Sequence, residues 1–257
     1  MEFPMKKNKF LLRGLLVASI FAFGTGAAHA DLLKDIRDAK KIRIALDTGS
    51  PPYGFVGADL KPTGSDVETA RLLAKGLGVE LEIIQVTSPN RIPFLQSGKA
   101  DIVVASLSVT PEREKVIDFS VPYAQILAVV AAPKDAKIAS FADLKGVRVA
   151  TTRGSNNDKV VTTGAPDAKI VRYDDDATLV TALVSGQADT IATSPAILTA
   201  ILAKVPTKDL STKFVMQSVP LGMGMRKDEP QFKAWVNDWI TKNQTQLNEL
   251  HKKFHGN

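Results

Sequence analysis

Cysteine is absent from all 257 residues, so the chain has no disulfide scaffold, no cysteine-ligated zinc, no iron–sulfur cluster and no thiol nucleophile. Histidine is scarce, with three in the chain. His29 falls in a leader expected to be removed, and His251 and His255 lie on the end of a C-terminal helix that is expected to fray. None is expected to serve as a catalytic base or a metal ligand. Aromatic residues make up 6% of the chain, and no Lys/Arg cluster is interleaved with them. The net charge of +6 falls to +3 once Glu2, Lys6, Lys7, Lys9 and Arg13 are set aside. That residue of charge is too mild and too scattered to imply nucleic acid as a partner. Beyond the leader there is no second long apolar run to span a membrane.

The remaining composition, 44% hydrophobic and 23% charged, provides ample material for a core. At the N-terminus the basic stretch Met5–Lys9 precedes an apolar segment, Leu11–Ala28, broken by Gly14, Gly24 and Gly26. Ala28-His29-Ala30 satisfies the small-x-small rule, so residues 1–30 are expected to be an export signal cleaved before Asp31. Export without cysteine fits a Gram-negative periplasm.

Two segments repeat. Leu95–Ser106 reads against Leu183–Ser194, sharing Leu, Ser, Gly, Ala, Asp and the final Ser. In each, a helix is expected to end at Ser-Gly, a short strand to follow, and the strand to stop at a serine. A second echo pairs Ile42–Ala45 and Gly49-Ser50 with Val147–Ala150 and Gly154-Ser155. The chain is therefore expected to hold two α/β units of related plan. In the first, strands are predicted at 42–46, 80–86 and 101–105 and helices at 66–77 and 92–96, the longer one capped by Ser65 or Asp66. The spacing Phe232, Trp235, Val236, Trp239, Ile240, Leu247, Leu250, Phe254 predicts an amphipathic C-terminal helix. Asp174-Asp175-Asp176 lacks the spacing of a calcium loop and is read as a cap on a helix at 178–184.

Strand–helix alternation predicts parallel sheets, and ligands of such sheets sit beyond the carboxyl ends of the strands. That rule selects 47–55, 106–113, 151–157 and Ser194-Pro195. Within them Ser106 and Ser108 can present both hydroxyls to one side. Thr110-Pro111 looks like an N-cap followed by proline at the first helical position. Arg113 would then oppose the helix dipole, so either a ligand carboxylate or Glu112 or Asp118 should offset it.

Tyr53-Gly54-Phe55, Asp66-Val67-Glu68, Leu95–Asp101, Ser106–Arg113 and Val116–Tyr123 together resemble the extracellular solute-binding proteins of family 3, the periplasmic amino-acid receptors of ABC importers. The Ser-x-Ser-x-Thr-Pro-Glu-Arg and Asp-Phe-Ser-x-Pro-Tyr strings are the specific part of that likeness. It implies an α/β fold of two Rossmann-like lobes joined by two hinge crossings, the type II periplasmic-binding-protein fold. Lobe 1 would be 31–129 plus 222–257 and lobe 2 would be 130–221, with hinges near Val129–Ala132 and Pro220–Gly222. Arg113 would clamp a ligand carboxylate, aided by Ser108 and Ser106. Thr152, Gly154, Ser155 and Asn156 would close over that carboxylate from a helix N-terminus. Tyr53 matches an aromatic wall, and Phe55 either that wall or the core. Asn90-Arg91-Ile92-Pro93 resembles the glutamate/aspartate branch, in which Arg91 would reach a side-chain carboxylate; Arg91 could instead be an exposed helix opener. Arg153 is a third cation of that cleft or a solvent-facing residue.

One departure stands out. The family usually has an acidic residue for the ligand ammonium where this chain has Ser194. Either Asp47 takes the ammonium or the ligand has none, and Asp47 reads equally as a loop cap. The expected function is trapping of a small polar amino acid, acidic ahead of neutral, by a monomer that presents it to an inner-membrane ABC permease. The alternatives are a receptor for an organic acid or amino-acid derivative without a free ammonium, and a lyase or dehydratase on the same scaffold. No cofactor, metal or catalytic residue is expected.

Overall fold

The computed structural model describes residues 1–2, 31–205 and 207–256; the expected signal at 3–30 and its cleavage point lie outside them. From α1 (Leu32–Ala39) the chain runs through β1 (Lys41–Leu46), β2 (Phe55–Val56), β3 (Pro62–Thr63), α2 (Ser65–Leu77), β4 (Glu80–Gln85), α3 (Arg91–Gln96), β5 (Ile102–Val103), α4 (Pro111–Glu114) and β6 (Asp118–Phe119). It crosses on β7 (Ala124–Pro133) to β8 (Arg148–Thr152), α5 (Asn156–Gly164), β9 (Lys169–Tyr173), α6 (Asp176–Val184), β10 (Thr190–Thr193) and α7 (Pro195–Lys204). The long β11 (Leu210–Leu221) then returns it to β12 (Gly224–Met225) and α8 (Pro230–His255).

Two five-stranded sheets result, in the orders β4-β1-β5-β12-β6 and β11-β7-β10-β8-β9. The parallel strands β4-β1-β5 and β9-β8-β10 share one plan, each with the first strand of its unit in the middle. This is the structural form of the internal repeat. Both Ser-Gly turns also match, with Gly98 at φ +70° and Gly186 at φ +72°, the left-handed position that glycine reaches without a Cβ clash.

Alternation along β1 sends Ile42, Ile44 and Leu46 into one core with Leu73 of α2 and Phe232 and Val236 of α8, while Ala45 faces another with Leu95 and Ile117. β7 and β11 pair antiparallel from Ala124↔Leu221 to Pro133↔Leu210, a ribbon that spans both expected crossings.

Three local expectations are corrected. The cap of α2 is Gly64, with no side-chain cap bond, and Asp66 turns inward instead, at 2% exposure. Its carboxylate accepts from the Ser106 amide (2.7 Å) and the Tyr123 hydroxyl (3.1 Å), two partners that a position facing solvent could not supply. The helix expected at 178–184 begins at Asp176, with Asp175 alone forming the capping box with Thr178. His255 is not a frayed solvent residue: its ring packs edge-on against Tyr53 at 4.5 Å, and Nε2 lies 2.8 Å from Ser65 Oγ.

Candidate functional site

The carboxyl ends of β1, β5, β8 and β9 and the ribbon meet at an enclosed pocket between the two sheets. It is lined by Ser50, Ser88, Arg91, Ser106, Ser108, Ile126, Ala128, Ser155, Asn156, Asn157, Asp176 and Ile197. Of the expected residues, the structure brings Arg91, Ser106, Ser108, Ser155 and Asn156 to its wall. Gly154 and Arg113 sit at its rim in a wider cleft shared with Asp158 and Arg172.

Arg113 lies on α4. Thr110 caps its short helix, as expected, and the guanidinium turns back to donate to Ser108 O at 2.9 Å and across the cleft to Gly154 O at 3.4 Å. Neither carboxylate proposed for it is engaged with it. Glu112 pairs with Lys159 at 2.7 Å, and Asp118 with Lys227 and Lys233 at 3.3 and 3.4 Å. Burial, followed by the like charge of Arg91, pushes Arg113 down to about 9. The half-buried guanidinium is thus bonded to carbonyls and to no carboxylate among the described residues, which leaves it able to take a bidentate carboxylate.

Facing it, Ser155 caps the nine-residue α5, accepting from the Asp158 amide, and Gly154 N donates to Asp158 Oδ2 at 3.0 Å. The first amides of a helix have no intrahelical acceptor, and Asn156 and Asn157, which open α5, are both lining residues of the pocket. Asn156 itself is steadied by Gln217 at 3.0 Å. Ser106 adopts φ +44°, a left-handed conformation that costs a non-glycine residue energy and is held here by the Asp66 carboxylate on its amide.

Arg91 is buried at 3% exposure, not an exposed helix opener. It donates to Ser88 O (3.1 Å) and Ala105 O (2.7 Å). Burial depresses its pKa, and Asp47, Asp176 and Asp66 pull the other way. No carboxylate lies within ion-pair distance of it among the described residues; the three acids act on it from farther off. Burial raises all three acids: Asp47 to about 6, eased by the Gly49 amide at 3.0 Å; Asp66 to about 7; and Asp176 upward as well.

Several expected residues stand back from the pocket. Asp47, 6% exposed, lies behind the wall with its carboxylate on its own loop, the capping geometry. Thr152 is buried beneath Asp176 and donates its hydroxyl to that carboxylate. Ser194 is fully buried as the N-cap of α7, accepting from the Ile197 amide at 3.4 Å. Tyr53 is a core residue at 3% exposure beside Ser194, and Phe55 meets Phe254 at 6.5 Å. Packing against α8 holds both rings away from the pocket wall. Arg153 points outward to Asp174 at 3.4 Å.

The sequence reading missed Asp176. Its carboxylate accepts from the hydroxyls of Ser50, on the β1 side, and Thr152, on its own side of the cleft. The signal was available: one acid suffices to cap α6, and the triplet follows β9, whose carboxyl end belongs among the selected segments. Among the described residues no cluster of His, Asp and Glu could hold a metal ion, and no helix is long and apolar enough to cross a membrane.

Comparison with known proteins places this geometry. The ABC transporter arginine-binding protein 1 of Escherichia coli K12 is 30% identical over 218 residues, covering 85% of this chain and 84% of the relative. The ABC transporter glutamine-binding protein GlnH of Bacillus subtilis 168 is 31% identical over 231 residues, covering 87% and 84%. Among solved structures, an ancestral amino acid-binding protein described as a precursor of cyclohexadienyl dehydratase superposes with a TM-score of 0.79 at 33% identity, over 87% of this chain and 99% of that one. These relatives are named for binding, and the fold they share is the two-lobed one expected. Residues 42–257 match the family profile of the bacterial extracellular solute-binding proteins, family 3, and the chain belongs to that family.

Proposed function

We propose that this protein is the periplasmic substrate-binding component of an ABC importer and that it traps a free amino acid between its lobes by the α-carboxylate. The observation that carries the reading is Arg113, a guanidinium with no carboxylate partner that touches both sides of the cleft through Ser108 O and Gly154 O. A ligand carboxylate there would bond Arg113 and the N–H groups opening α5 at the same time, which only the closed form permits. Binding then draws the open–closed equilibrium toward the form a permease would recognise.

The preference for an acidic ligand is not retained. It rested on Arg91, whose guanidinium is held by the Ser88 and Ala105 carbonyls and faces Asp47, Asp176 and Asp66. The relatives named above bind arginine or glutamine by their names. Besides Arg91 and Asp176, the wall carries Ser50, Ser88, Ser106 and Asn157, hydroxyls and an amide that suit an uncharged polar side chain.

A thermal-shift screen of unfolded, ligand-stripped and refolded protein against the twenty L-amino acids tests this. A ligand at about 100 times its dissociation constant adds roughly 2.7 kcal/mol. The expected result is a shift from neutral polar amino acids that is absent in Arg113→Ala, whose unliganded melting temperature matches the wild type. A shift that survives Arg113→Ala, or a large loss of unliganded stability in that variant, overturns the reading.

A further inference from the structure

We propose that Asp176, at the first turn of α6, receives the ligand's ammonium group and so takes over a task that the end of β10 does not perform in this chain. The inference rests on the amino-acid reading above and deepens it by assigning the second pole of the ligand.

The end of β10 is unfit for a cation. Ser194 is fully buried, carries no charge, accepts from the Ile197 amide and does not line the pocket. Thr193 before it is 1% exposed. Asp47 is set behind the wall and turned onto the Gly49 amide. Asp176 is the one acid in the pocket lining, among the described residues. The hydroxyls of Ser50 and Thr152 fix its two oxygens, one each, which leaves lone pairs on both for a further donor.

Charge points the same way. Arg91 is the cation facing this corner, while Asp47 and Asp175 flank it with like charge and Asp66 lies behind. Burial above all pushes these acids toward their neutral forms, and Arg91 is the cation that opposes this at Asp176. A ligand ammonium would act in the same direction as Arg91. Ser108, whose carbonyl holds Arg113, and Asp176 both line this pocket, so groups for the two poles of an α-amino acid border one space.

The Ser50 bond adds a positioning role. Ser50 belongs to the loop after β1 and Asp176 to α6, and the Ala177 amide donates to Gly49 O at 3.1 Å beside it. Closure thus completes the ammonium site, just as it completes the carboxylate site at Gly154.

The test compares each L-amino acid that stabilises the wild-type protein with its 2-hydroxy acid, the same molecule with a hydroxyl in place of the ammonium, by titration calorimetry. Losing a hydrogen bond to a charged group weakens binding roughly 10- to 100-fold. The wild type should prefer the amine by that factor, and Asp176→Asn should collapse the preference to within about threefold, the loss appearing in the amine arm. Asp176→Ser serves in the same way if the Asn variant does not melt cooperatively. Equal binding of both ligands by the wild type, a preference that persists in the Asp176 variants, or a preference lost in Asp47→Asn instead, each overturns the assignment. Failure of the underlying reading looks different: Arg113→Ala would then bind amine and hydroxy acid alike as tightly as the wild type.

Discussion

Asp66, Asp47 and Asp176 are carboxylates raised by burial, the reverse of the usual ion-paired acid, and this has a consequence for stability. The folded chain holds protons that the unfolded chain, titrating near 3.9, has already released. Stability should therefore fall as pH rises through the folded values. His255, lowered to about 4 by burial and His251, acts oppositely but only below its unfolded value near 6.5. Between pH 8 and 6.5 Asp66, at about 7, is the acid with a value in the window, so the unliganded melting temperature should rise on acidification and Asp66→Asn should reduce that slope. A melting temperature that falls over this range would contradict the burial assigned to these groups. Gly154 offers a second residue-level prediction. It has φ +70°, and a Cβ there would stand 3.1 Å from Pro89 Cα across the cleft. Gly154→Ala should lower ligand affinity about tenfold, more than the roughly 1 kcal/mol its conformation costs the unliganded chain. Calorimetry against a thermal melt separates the two effects. Arg113, Ser106 and Ser108 were legible because a strand end, a proline and a capping threonine fix their places in the chain. Asp176 was not, because a triplet of acids before a helix has a sufficient local explanation that hides a long-range one.

At the level of elements, the repeat carried the prediction. Strands and helices of the first unit were found within a few residues, since β1, α2 and β4 have clear periodicity and glycine stops. The two-residue strands β5, β6 and β12 are set by pairing across the sheet rather than by any local pattern, and β12 arrives from the far end of the chain. The ribbon of β7 and β11 escaped as well, because its strands alternate only in part; Leu127 and Val215 remain 38% and 52% exposed. The two units also meet at the rim, where Glu112 of α4 pairs with Lys159 of α5. Both side chains are half exposed, so Lys159→Gln should weaken ligand binding by only about two- to fivefold, and the difference should vanish at about 0.5 M salt as the pair is screened. A loss that persists at high salt would mean that Lys159 touches the ligand.

For the whole molecule, composition excluded much and located little. The absence of cysteine removed thiol chemistry and cysteine-ligated zinc, and the scarcity of histidine pointed to hydroxyls, amides, guanidinium and carboxylate. The charge class of the ligand could not be read, because Arg91 looks like a free cation in the chain and only the fold surrounds it with three acids. What unites the residue and element arguments is closure: Arg113 to Gly154, Ser50 to Asp176 and Glu112 to Lys159 all join the two units. The most direct test is small-angle X-ray scattering of the refolded protein with and without the amino acid that gives the largest thermal shift. Ligand should contract the wild-type protein toward the compact form described here and leave Arg113→Ala expanded. A ligand that binds the wild type tightly without changing its radius of gyration would contradict capture between the lobes.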